Sequence, residues 1–210
     1  MASTATTTTA ATAATTTAAA ATTEAASAYN FGPASGRDEL AYGSCRPGLQ
    51  SNKDTSPGAV KDSEVAEWVA QMKAWGIQRV VSLLGDDELE WYENNLDEQM
   101  KAAGFSGYAR TSVFAPDAHK VIEAALREAG EAKEKVVVHC SGGGGRAALG
   151  LGQWLTSQHE LTPEQAADEI AEFAKDKPFN RRPDAAKLTT LQTAGTLAKA
   201  AAPAAPAPAT

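Results

Sequence analysis

The stretch Val136-Val137-Val138-His139-Cys140-Ser141-Gly142-Gly143-Gly144-Gly145-Arg146 decides how this chain is read. Three consecutive β-branched apolar residues have the composition of a strand buried on both faces, as in parallel sheets. A cysteine ends that strand, five small residues make a tight loop, and Arg146 opens a helix to about residue 157, with Leu149, Leu151, Trp154 and Leu155 on its buried side. Glycines permit positive φ, so successive backbone N–H groups can turn inward as a nest for an oxyanion, and the start of the following helix adds its positive dipole end. Such a nest suits two anions: a thiolate on Cys140, and a phosphate held by the planar fork of Arg146. A nucleophile at the base of a phosphate cradle is the apparatus of phosphoryl transfer through a cysteinyl-phosphate intermediate.

Outward from this loop, strand and helix signals alternate. A short strand is expected at residues 40–42, within a Gly-, Pro- and Ser-rich stretch at 35–57. Asp62 or Ser63 can cap a helix that carries Val65, Trp68, Val69, Met72 and Trp75 at helical spacing, and Gly76 stops it. Val80-Val81-Ser82-Leu83-Leu84 has the composition of another buried strand, ending in the turn Gly85-Asp86-Asp87. Leu89, Tyr92, Leu96 and Met100 then predict one helix up to Gly104, followed by a strand over 108–114 and a helix over 118–129. Thr162, Pro163 and Gln165 open a further helix through a capping box, and Asp184 opens the last. Strands alternating with helices predict an α/β fold: a single three-layer domain with a mostly parallel sheet, helices on both faces, and a site at the carboxyl ends of the strands.

The first 28 of the 210 residues are nearly all Ala, Thr and Ser, and residues 200–210 are Ala and Pro with a terminal Thr. Neither stretch can build a core, so tails without fixed structure are expected at 1–28 and 200–210, around a domain at 29–199. That domain holds all 19 Lys and Arg against 25 of the 26 acids, a poor composition for gripping nucleic acid by its phosphates. No apolar run approaches the length of a membrane span. Two cysteines 95 positions apart and three histidines outside any metal-binding spacing argue against a disulfide scaffold and a metal cluster, and no cofactor is expected. The N-terminal tract lacks the basic start of a secretory signal and the arginines of a transit peptide. A cytoplasmic location is therefore expected, or an organelle if the tract is an atypical transit peptide.

The central loop resembles the HCxxGxxR signature of the cysteine-dependent protein tyrosine phosphatases, as found in the small dual-specificity branch. His139, Cys140, Gly143 and Arg146 occupy its four defining positions. Tyr29-Asn30-Phe31 and Tyr42-Gly43-Ser44-Cys45-Arg46-Pro47-Gly48 resemble the first strand and Arg-Pro-Gly turn of microbial members, and Arg181, Arg182 and Pro183 stand where related proteins carry a basic, proline-containing loop. The resemblance implies a phosphatase-like fold and hydrolysis of a phosphorylated protein or small phosphomonoester. It makes Cys140 the nucleophile, Ser141, Gly142, Gly143, Gly144, Gly145 and Arg146 the phosphate-binding residues, and His139 a support for the thiolate. It also implies an Asp, on a loop upstream of the cysteine, that protonates the leaving group. Asp117, after Phe114-Ala115-Pro116 and 23 residues before Cys140, has that placement. Asp86 and Asp87 stay open as rivals, and Asp117 equally suits a helix cap.

One position departs from the pattern. Ala147 stands where the family usually has Ser or Thr, whose hydroxyl bonds the cysteine sulfur. Two other functions therefore stay open: a phosphate-binding pseudoenzyme with poor turnover, and a rhodanese-like sulfurtransferase. A loop without lysine speaks for phosphoproteins or small phosphomonoesters over polyphosphorylated lipids. Arg46 and Arg181 are expected at the surface, and Cys45 as a buried inert thiol.

Overall fold

The computed structural model describes residues 23–198, so nearly all of both expected tails lies outside the described residues. Residues 23–28 are helical rather than unstructured, and Tyr29 and Phe31 fix this turn by donating N–H bonds to the carbonyls of Ala25 (3.2 Å) and Ala26 (2.8 Å). Strands β1 (Gly32–Pro33), β2 (Ala41–Ser44), β3 (Arg79–Ser82), β4 (Gly107–Arg110) and β5 (Val136–His139) form one sheet in the order β1-β2-β5-β3-β4. All neighbours are parallel except β1, an antiparallel edge on β2. The register places Ser44, Ser82 and His139 side by side at the ends of β2, β3 and β5. Cys45, Leu83 and Cys140 therefore leave the sheet together at its carboxyl edge.

Seven further helices are described: α1 (Asp62–Ala74), α2 (Asp86–Leu89), α3 (Leu96–Ala102), α4 (Ala118–Ala132), α5 (Gly145–His159), α6 (Pro163–Ala174) and α7 (Ala185–Ala194). Val136 and Val138 pack on one side of the sheet with Ile122 and Leu126 of α4, Leu151 and Leu155 of α5, Ile170 of α6 and Leu188 of α7. Val137 and Val80 face the other side, with Trp68 and Met72 of α1 and Leu96 and Met100 of α3. Burial on both faces is why β5 shows no polar alternation. Gly150 lets α5 approach closely, since a Cβ there would stand 2.7 Å from Cγ1 of Val138. The result is the three-layer α/β architecture, with its mostly parallel sheet, expected from the sequence.

Two elements differ from their sequence reading. The helix expected over 89–104 is broken into α2 and α3, because Tyr92 forms a parallel bridge with Val60 and Asn95 starts a new helix by accepting from the N–H of Glu98 at 3.2 Å. The strand expected over 108–114 stops at Arg110. Beyond Thr111, whose N–H reaches the Ser82 carbonyl at 3.0 Å, the backbone turns on itself, and the carbonyl of Val113 accepts from the N–H of Leu197 at 2.8 Å instead of from a strand. Among the described residues no helix is long and apolar enough to cross a membrane.

Candidate active site

Cys140 follows β5 directly and is buried, 3% exposed, at the base of the loop that leads into α5. Gly143 adopts φ +74°, and a Cβ there would lie 2.6 Å from the Ser44 carbonyl carbon and 2.7 Å from the Cys45 nitrogen. Only glycine fits against the neighbouring strand end. The loop is held from behind at four successive carbonyls. Ser141 accepts from the N–H of Arg46 (3.0 Å), Gly142 from Nδ2 of Asn30 (2.8 Å), Gly143 from Nη1 of Arg181 (3.2 Å), and Gly144 from the N–H of Arg182 (3.3 Å). In a planar trans peptide the C=O and the next N–H point in opposite directions. Fixing these four carbonyls outward therefore turns the N–H groups of residues 142–145 toward the open side of the loop, where an oxyanion would sit.

Arg146, in the first turn of α5, points across this loop. Its Nη1 donates to the Leu83 carbonyl (2.9 Å) and to Oε2 of Glu88, and its Nη2 donates to Oε1 of Glu88 (2.7 Å). A guanidinium has five N–H groups. Three are engaged here, which leaves the Nε–H and one Nη2–H as a parallel pair, the geometry that grips two oxygens of a phosphate. Burial works against the charge of Arg146, but Glu88, Cys140 and Asp87 together hold its pKa above the ordinary value. Glu88 is thus a positioning residue that the sequence reading did not single out. Its position is fixed in turn by the Gly85 N–H, which donates to Oε2 at 2.9 Å.

No family model and no curated protein sequence matches the chain. Solved structures do match. PTPMT1 in complex with PI(5)P aligns with 77% of this chain and 92% of its own, at TM-score 0.53 and 17% identity. Kinase associated phosphatase (KAP), with its catalytic-site cysteine substituted by serine, aligns with 72% of this chain and 83% of its own, at TM-score 0.51 and 19% identity. The chain has the fold of the cysteine-dependent phosphatases.

Within this phosphatase fold, several residues lie elsewhere than the sequence suggests. Arg46 and Arg181, expected at the surface, are buried. Arg181 spends its donors on backbone carbonyls of Asn30 and Gly143 (Nη1) and of Gly32 and Gly43 (Nη2), tying β1 and β2 to the loop. Burial lowers its pKa to about 10, with Cys140 and Cys45 opposing the fall. Arg46 likewise holds the carbonyls of Pro47, Asn52 and Asp54. Cys45 is a buried free thiol whose pKa is pushed up to about 12, chiefly by burial. His139 is fully buried against the edge of Trp68, and burial plus the charge of Arg146 push its pKa down to about 3. A weak contact with the Cys140 backbone favours the charged ring, yet neither ring nitrogen completes a hydrogen bond. Burial therefore favours the neutral ring of His139, which packs on Trp68 at the base of the loop.

The carboxylates divide unevenly around Arg146. On one side a cavity of about 660 Å³ is lined by Gly85, Asp86, Asp87 and Glu88 and by Ser112, Phe114 and Ala115. Asp86 pairs with Arg110 at 2.8 Å and Glu88 with Arg146; the Asp87 carboxylate lies over Gly85 and adds to the electrostatic support of the Arg146 charge. On the other side a cavity of about 670 Å³ is lined by Phe114, Leu149 and Leu197 with Arg182, Asp184 and Lys187. Asp117 lines neither cavity. It is exposed at the N-cap position of α4, and its side chain accepts no bond from the first turn of that helix.

Proposed function

We propose that this protein hydrolyses phosphomonoesters through a cysteinyl-phosphate intermediate. The observation that carries the reading is the convergence, on one strand–loop–helix unit, of a buried cysteine, four outward-fixed carbonyls and the free Nε/Nη2 edge of Arg146. The fold shared with phosphatases supports it. The thiolate of Cys140 attacks phosphorus as the bond to the alcohol oxygen breaks, while the equatorial oxygens rest on the loop N–H groups and Arg146. A carboxylic acid gives its proton to the departing oxygen. In the second step water attacks phosphorus, the same carboxylate takes up a proton, and the thiolate leaves. We take Asp87, which lines the cavity beside Arg146, as this donor; Asp117, the candidate from the sequence pattern, lines neither cavity and is the alternative.

Replacing Cys140 by serine should abolish hydrolysis of 4-nitrophenyl phosphate while binding of inorganic phosphate or vanadate survives, because cradle and arginine remain. Near-wild-type turnover by Cys140→Ser would overturn the mechanism. One observation favours a second reading, a phosphate-binding protein with slow turnover: Ala147 is fully buried beside the loop and supplies no hydroxyl to the cysteine. Wild-type protein that binds phosphate tightly but does not hydrolyse the nitrophenyl ester would establish it.

A further inference from the structure

Arg182 stands apart from the other arginines. Among the described residues Arg37, Arg79, Arg110, Arg127 and Arg146 pair with carboxylates. Arg46 and Arg181 donate to backbone carbonyls. The guanidinium of Arg182 has neither kind of partner among the described residues. Its main chain is held at the rim of the phosphate loop, where its N–H bonds to the Gly144 carbonyl, and its exposed guanidinium lies beside Gly144, with Nε 3.2 Å from where a Cβ there would stand. From there it lines the cavity beside Arg146. The other cation of that cavity, Lys187, is neutralised by Asp184 at 2.7 Å.

The two sides of Arg146 therefore differ in what they offer an anion. Three consecutive carboxylates, Asp86, Asp87 and Glu88, border one side; Asp86 and Glu88 are balanced by Arg110 and Arg146, so that side holds no cation in excess for a second negative charge on a substrate. The Arg182 side attracts one. Its walls are apolar, from Val113, Phe114, Leu149 and Leu197, and Phe114, 39% exposed, is the one exposed large hydrophobic residue among those described. A bare aromatic ring at the mouth of a cavity offers a face to a flat apolar group. The walls of this cavity are joined by the Leu197 N–H donating to the Val113 carbonyl at 2.8 Å, and its volume of about 670 Å³ is that of a small-molecule site.

We propose that this cavity selects small aryl phosphomonoesters carrying a second anionic group, with Arg182 recognising that group; the proposal rests on the phosphatase reading above. The probes are phenyl phosphate and 4-carboxyphenyl phosphate, compared by kcat/KM, and the two corresponding phosphonates, compared by calorimetric binding. In the wild type the carboxylated member of each pair should be favoured about fivefold at low salt, the upper range for a charge pair near a surface, and less as salt rises. The preference should fall to about one in Arg182→Ala and invert in Arg182→Glu. As a ratio within one variant it is unaffected by a general loss of activity. An unchanged ratio in both variants, or no preference in the wild type, overturns the proposal. If the wild type hydrolyses neither ester, the phosphatase reading fails, while the phosphonate pair still decides the role of Arg182. A phosphotyrosine peptide with acidic neighbours turned over more than tenfold better than 4-carboxyphenyl phosphate overturns the assignment to small esters.

Discussion

Of the loops that leave the carboxyl edge of the sheet beside Arg146, those at 140–146 and 111–117 are built differently. The loop at 140–146 is tied through four carbonyls to three segments remote in sequence, around Asn30, Arg46 and Arg181-Arg182. The loop at 111–117 bonds mainly to itself and to residues 195–197, and leaves Phe114, Pro116 and Asp117 exposed. Holding a phosphate demands donors fixed before the substrate arrives, since reorganising them during reaction would cost the stabilisation they supply. Delivering a proton demands only one carboxylic acid within reach of the leaving oxygen. On the proposed mechanism the first requirement falls to the anchored loop and the second to Asp87 or, in its place, to Asp117 of the loop at 111–117, so the anchored and the exposed positions should respond differently to substitution.

After loss of the nucleophile itself, the largest effect is expected at the proton donor. Asp87→Asn should slow hydrolysis of phenyl phosphate about 10²- to 10⁴-fold and change the acidic limb of its pH profile, with a smaller loss for esters whose leaving group needs no proton. Asp117→Asn should change these rates little. The opposite pattern would return the role to the loop at 111–117.

Within the anchored loop the glycines are not equivalent. A Cβ at Gly143 meets backbone, whereas one at Gly142 or Gly145 meets nothing within 4 Å. Gly143→Ala should therefore cost about 10²-fold in kcat/KM through displaced loop donors, and Gly142→Ala far less. Equal losses would show that the strand end behind Gly143 yields readily.

At the base of the same loop, burial keeps His139 neutral, with its pKa lowered to about 3. The unfolded chain takes up this proton near the ordinary value of about 6.5 and the folded chain only far below it, so stability is full above that value and is lost as pH falls through the window between them. Between pH 7 and pH 5 His139 should account for about 2 kcal/mol of lost stability in urea unfolding. His139→Asn should remove that part of the pH dependence; an unaltered pH dependence would show that the ring is protonated without cost.

The smallest effect concerns Ala147, fully buried in the first turn of α5. A hydroxyl there would donate to the sulfur and help it leave in the second step. Wild-type protein should accumulate phosphoenzyme, seen as a pre-steady-state burst, and Ala147→Ser should shrink the burst and raise kcat roughly tenfold. Identical bursts and kcat would show that another donor serves the sulfur.

The chain's own order of residues determined the strand Val136–His139, the turn that follows it, the helix beginning at Gly145 and the cysteine and arginine at either end of the loop. These depend on local conformational preference and on side-chain period, which neighbours in sequence set for themselves. Leu89 and Tyr92 ahead of Leu96 and Met100 make one helical period, yet the bridge from Tyr92 to Val60 overrides it. Arginine is ordinarily an exposed residue, and nothing near Arg46 or Arg181 in sequence indicates that each would find carbonyls to bond in the interior. Asn30 and Arg181 lie 112 and 38 positions from the glycines whose carbonyls they hold, and Glu88 lies 58 positions from Arg146. Local sequence specified which groups could bind a phosphate, but only the tertiary structure decided what fixes them, because a buried donor takes whichever acceptor the packing of distant segments brings within reach, and no spacing along the chain records that choice.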